Sequence, residues 1–109
     1  MATMVIVETS VFSRRIQELL SDDEYLDLQE ALVTRPNLGD LIPGSGGLRK
    51  MRWGLKSRGK RGGVRVIYYW AVTTEQLRML YVYPKGRQEG LTPAQLQALR
   101  GVVERWDDE

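Results

Sequence analysis

The chain predicts an α+β domain of order β-α-α-β-β-β-α, its helices packed on a mainly antiparallel sheet. Three observations carry this. A β-branched run opens the chain, and two helical periodicities follow it at once. Three further strand-like runs fill the second half, joined by connections too short for a parallel crossover. A capped amphipathic segment then closes the chain. Its 109 residues, 42% of them hydrophobic, are expected to form a single domain over residues 1–109, with a core large enough to need no covalent staple.

The first strand is "TMVIVE", Thr3 to Glu8. Thr9 or Ser10 caps a helix whose apolar positions Phe12, Ile16, Leu19 and Leu20 recur at helical spacing. "SDDE", Ser21 to Glu24, is a capping-box pattern whose acids also suit the positive end of a helix dipole. The second helix buries Tyr25, Leu28, Ala31 and Leu32 and ends before Pro36. The short break between the two helices reads as an antiparallel α-hairpin. "RPNLGDLIPGSGG" is a loop by composition. Strands are predicted over Leu48–Leu55, Val64–Val72 and Leu77–Tyr83, with "SRGKRGG" and "TTEQ" between them. In the last helix Thr92 is the cap, Pro93 the first helical residue, and Leu96, Leu99, Val102, Val103 and Trp106 the apolar stripe.

Cysteine and histidine are both absent, which removes disulfides, thiolate metal sites and imidazole chemistry. No metal or other cofactor is expected. No apolar run approaches a membrane span or a signal-peptide core, so a cytoplasmic protein without a membrane partner is expected. The net charge of +2 hides a segregation. Eight bases (Arg49, Lys50, Arg52, Lys56, Arg58, Lys60, Arg61 and Arg65) fall in a stretch that holds no acid, while acids outnumber bases on both sides of it. Such a block is the footprint of a polyanionic partner, and its position on strands argues for nucleic acid over mere solubility.

Strand alternation gives the block a geometry. Leu48, Lys50, Arg52 and Gly54 share one face; Arg49, Met51, Trp53 and Leu55 share the other. Lys50 and Arg52 are then about 6–7 Å apart, two strand rises. Arg65 shares a face with Ile67, Tyr69 and Ala71, and if that face is the one Lys50 and Arg52 occupy, three cations converge. Edge charges that block aggregation explain Lys50 and Arg52 but not a central Arg65. Beyond the third strand, Lys85 and Arg87 follow Tyr81 and Tyr83, a pairing of rings and cations that suits unpaired RNA. Tyr81 and Tyr83 can equally be core residues. Neither "GSGG" nor "GKRGG" has the spacing of a phosphate loop.

The blocks "GGLRKMRW", "SRGKRGGVRVIYYW" and "MLYVYPKGRQEGLTPAQLQALR" resemble the RelE/HigB superfamily of type II toxin–antitoxin toxins, its HigB-like branch above all. The similarity spans residues 4–103. It implies a RelE-like fold and a ribosome-dependent endoribonuclease (an mRNA interferase) that cuts mRNA in the ribosomal A site and inhibits translation. It further implies a cognate antitoxin, in a hetero-oligomer that binds operator DNA through the antitoxin. Lys50, Arg52 and Arg65 correspond to the basic active-site positions, and Lys85 or Arg87 to a further cation. Arg49, Lys56, Arg58, Lys60, Arg61, Tyr83 and Arg87 are the expected RNA- and ribosome-binding residues. "EGLTP" has Leu91 and Thr92 where the best-known branch has a tyrosine. A non-catalytic RNA- or ribosome-binding module, an inactive toxin relative, is the alternative.

RNA cleavage without metal needs a base for the 2′-OH proton, cations for the charged phosphorane and an acid for the leaving oxygen. Without histidine, lysines and tyrosines are the titrating groups of the basic block. Crowding by Arg49, Arg52 and Arg65 is expected to lower a lysine's pKa. Lys50 or Lys85 is therefore the expected base, with Arg52 and Arg65 stabilising the transition state.

Overall fold

A computed structural model describes residues 4–54, 63–86 and 90–106. Strand β1 (Val5–Glu8) leads into α1 (Ser10–Leu19), α2 (Asp22–Thr34), a two-residue strand β2 (Asp40–Leu41), β3 (Leu48–Gly54), β4 (Gly63–Ala71), β5 (Gln76–Pro84) and α3 (Pro93–Trp106). The strands form one sheet of order β1-β5-β4-β3-β2. Only the β1–β5 pair is parallel among the described residues. The expected α+β architecture is therefore present, with β4 at the centre of the sheet.

Local signals explain the helices. The Thr9 hydroxyl accepts from Phe12 N–H and caps α1. Ser21 and Glu24 close a reciprocal capping box on α2. Thr92 and Gln95 exchange the same pair of bonds at the start of α3.

Each face of the sheet has its own apolar layer. On one, Phe12, Ile16, Leu20, Leu28 and Leu32 of α1 and α2 pack against Met51, Val64, Val66, Tyr68, Leu77, Met79 and Val82. On the other, Leu48, Ile67, Leu80 and Tyr83 lie beneath Leu96, Leu99, Val102, Val103 and Trp106 of α3. Arg78 is buried on that second face, its guanidinium 5.1 Å from the Trp106 ring and 5.8 Å from that of Tyr69.

Two features depart from the expected elements. Strand β2 forms inside the stretch read as a loop, pairing Asp40 with Lys50 and Leu41 with Arg49. Its neighbourhood is tied to the sheet by Tyr68, whose hydroxyl donates to Pro36 O (2.7 Å) and accepts from Gly39 N–H (2.8 Å). Gly39 is required there by space, since a Cβ would lie 2.8 Å from the Tyr68 ring and 3.0 Å from Lys50 O. The second departure is a bulge in β5. Tyr68 pairs with Met79 and Ile67 with Tyr81, so Leu80 is the extra residue. Among the described residues no helix is long and apolar enough to cross a membrane.

Candidate RNA-binding face

The bulge decides which side chains meet. Leu77 and Met79 face α1 and α2, and strict alternation would send Tyr81 and Tyr83 after them. The extra residue turns both tyrosines onto the α3 face, and alternation carries Lys85 to the same side.

Cross-strand register then builds rows on that face. Arg52 of β3 stands opposite Arg65 of β4, and Arg65 stands opposite Tyr83 of β5. The next row is Lys50, Ile67 and Tyr81. Directly opposed side chains have Cβ atoms about 4.5–5.5 Å apart. Arg52 is exposed, Lys50 and Arg65 are half-buried, and Lys85 is exposed at the end of β5. Lys50, Arg52 and Arg65 thus share one face: alternation joins the first two, and the β3–β4 register adds Arg65.

Other predicted site residues sit differently. Arg49 points to the opposite face, where its guanidinium donates to Gly39 O at 2.8 Å. Tyr83, expected at the RNA surface, is corrected to a core residue at 1% exposure. Burial also raises its pKa, against the pull of Arg65. Lys56, Arg58, Lys60, Arg61 and Arg87 lie outside the described residues.

Two participants escaped the sequence reading. Asp40 is the register partner of Lys50 on β2, an acid at the edge of the basic rows. Arg15 of α1 reaches across the edge of β5, donates from Nε to Val82 O (2.8 Å) and lays its guanidinium 4.9 Å from the centre of the Tyr81 ring. Tyr81 in turn lies 5.9 Å from Tyr83, ring centre to ring centre. No spacing rule joins residues 67 positions apart, although an arginine beside helical apolar positions was the available signal.

Among the described residues no three His, Cys, Asp or Glu side chains are grouped to hold a metal ion. The face is thus a patch of fixed cations edged by an aromatic ring, able to hold a phosphodiester and the base beside it.

An α+β sheet covered on one face by α1 and α2, and on the other by α3 beside a row of cations, is the class that this architecture defines. No protein-family model matches the chain. Among solved structures it is similar to E. coli toxin RelE, a double arginine-to-alanine mutant in the free state. The identity is 13%, the TM-score 0.59, and the match covers 95% of this chain and 98% of that one. It is also similar to a chain of the archaeal RelE–RelB complex from Pyrococcus horikoshii OT3, at 20% identity and TM-score 0.52, covering 80% of this chain and 100% of that one. The chain therefore has the RelE-like fold.

Proposed function

We propose that the protein is the toxin of a type II toxin–antitoxin pair, of the RelE/HigB kind, and a metal-independent endoribonuclease that cuts mRNA in the ribosomal A site. The observation that carries this is the Arg52–Arg65 pair, opposed in register on a RelE-like sheet with Lys50 one row away. Like charges directly opposed destabilise a strand pair, so the pair makes physical sense when an anion sits between its members.

In this reading Lys50 takes the proton of the 2′-OH. The 2′-oxygen attacks phosphorus, and Arg52 and Arg65 stabilise the charged phosphorane. The P–O5′ bond breaks, the 5′-oxygen takes a proton from Lys85 or from water, and a 2′,3′-cyclic phosphate and a 5′-hydroxyl result. Lys85 is the second candidate for base or acid. The ribosome supplies the in-line mRNA conformation that the face alone does not impose. A cognate antitoxin is the second partner, supported by the likeness to the RelE–RelB complex, and operator DNA is reached through it. The protein acts in the cytoplasm, with the ribosome and mRNA.

A second reading, a non-catalytic ribosome-binding module, is favoured by one observation. Thr92, which stands with Leu91 where the best-known branch has a tyrosine, spends its hydroxyl on the α3 cap.

Primer extension on a translated reporter mRNA, with and without ribosomes, separates the two. Cuts at codon positions only with ribosomes, lost in Arg65→Ala, are expected. Ribosome binding without any cut would establish the second reading instead.

A further inference from the structure

The basic rows stop at Tyr81, but the surface continues into a shallow pocket between β5 and α3. Its volume is about 150 Å³, and Tyr81, Gln95, Ala98 and Leu99 line it. Tyr81 is half-buried and Ala98 exposed, so the pocket opens to solvent. The lining is apolar apart from Gln95, whose side-chain oxygen accepts from Thr92 N–H and is thereby held at the rim.

The pocket belongs to a cationic neighbourhood. Arg15 lies over the Tyr81 ring, anchored through Nε to Val82 O. On the other side the Tyr81 ring packs 5.9 Å from that of Tyr83, the core residue that stands in register opposite Arg65, with Arg52 beyond it. An apolar slot with an aromatic wall, a guanidinium over that ring and further cations on the same face, fits a flat ring attached to an anionic backbone. An apolar peptide side chain would fill the slot but gain nothing from the flanking arginines.

We infer that the Tyr81–Ala98–Leu99 pocket is a nucleobase subsite, which takes an unpaired base of single-stranded RNA whose backbone passes Arg15 and runs on toward the Arg52–Arg65 pair. This rests on the RNA reading above and adds to it a place for the base. Arg15 contributes twice, by fixing the Tyr81 ring and by presenting positive charge to the backbone that leads into the pocket. Because the slot is walled by an aromatic ring and aliphatic carbon, it selects for the presence of a base more than for its identity.

The test uses the full-length protein and two fluorescent RNA tetranucleotides of equal charge, one intact and one with a single abasic ribose at the second position. Binding is measured at low salt, where phosphate contacts are strongest. Wild-type protein is expected to bind the intact oligonucleotide roughly tenfold more tightly, the scale of one base–aromatic stack. Ala98→Leu fills the pocket from an exposed helical position that tolerates leucine, and is expected to abolish the preference. Gln97→Leu, equally exposed but not lining the pocket, should keep it. Equal binding of the two RNAs by wild-type protein, no binding of either, or a preference that survives Ala98→Leu would each overturn the subsite. The nuclease reading is scored separately by ribosome-dependent cuts: cleavage without base preference removes the subsite alone, and base preference without cleavage removes the nuclease alone.

Discussion

Arg52 and Arg65 stand opposite each other in register on neighbouring antiparallel strands, and Tyr83 extends their row onto β5. Unit charges about 5 Å apart repel by roughly 1–3 kcal/mol between the dielectric of water and that of a protein surface. Splayed guanidinium groups escape part of that, but the fold still carries a local cost in the centre of its sheet. The same geometry becomes favourable when a phosphate accepts from both groups. In the proposed function, RNA binding and stability therefore oppose each other at these two positions.

That opposition is measurable. Replacing Arg52 by Gln keeps the side-chain stem and removes the charge, so stability is expected to rise by about 0.5 kcal/mol. In thermal melts this appears as a rise of roughly 2–4 °C. RNA affinity should fall in the same variant, and the slope of log affinity against log salt should shrink by about one. A less stable variant with undiminished affinity would show that Arg52 is a structural residue.

The Tyr68 hydroxyl is the tie between the 36–41 segment and the sheet. Tyr68→Phe leaves Gly39 N–H without its acceptor in a buried position, which costs about 1–3 kcal/mol. Urea unfolding should show that loss, and amide exchange at Gly39 should quicken. Unchanged exchange would mean that the segment is held by the β2–β3 pairing and the Arg49 bond to Gly39 O instead.

Alkaline pH should destabilise the protein through Tyr25. Burial is the main cause of its raised pKa, followed by its hydrogen bond to Glu8. The sign follows from proton uptake. Below the ordinary tyrosine value of 10.0 both folded and unfolded chains keep the phenolic proton, and the contribution is complete. Above it the unfolded chain loses the proton while the folded chain holds it, so stability falls by about 1.4 kcal/mol per pH unit for that group. Burial shifts Tyr68 and Tyr83 in the same direction. Unfolding measured from pH 8 to pH 11.5 should show a decline that begins near pH 10 and becomes shallower in Tyr25→Phe. An equal slope in the variant would assign the decline to other groups.

What was legible in the sequence was local. Caps at Thr9, Ser21 and Thr92 and the helical spacing of Phe12, Ile16, Leu28 and Leu32 marked the helices, because each depends on neighbours within one or two turns. Short connections made β3, β4 and β5 antiparallel, and alternation brought Lys50 and Arg52 to one face. The rest depended on distant partners. The parallel β1–β5 pair crosses most of the chain, and β2 exists only because β3 is there to pair with. The bulge at Leu80 is invisible to a two-residue period, yet it re-aims Tyr81 and Tyr83. Burial of Tyr83 under α3 then reversed the expected surface role, and left Tyr81 half-buried beneath the unforeseen Arg15.

Arg49 and Lys50 are adjacent in sequence and equal in charge, which makes them a direct test of whether geometry or bulk charge governs RNA binding. Arg49 donates to Gly39 O on the face covered by α1 and α2, whereas Lys50 stands on the α3 face beside Arg52. Replacing Arg49 by Gln removes a charge-assisted hydrogen bond and should lower stability by about 1 kcal/mol, after discounting for its partial exposure. RNA affinity should change little. Replacing Lys50 by Gln should do the reverse, leaving the melting temperature nearly unchanged while weakening binding and stopping ribosome-dependent cleavage. Both variants lose one positive charge, so a protein governed by net charge would lose affinity equally in each. Equal losses in a salt titration would show that the basic block acts as a diffuse field, and the row formed by Arg52 and Arg65 would have no special claim on the phosphate.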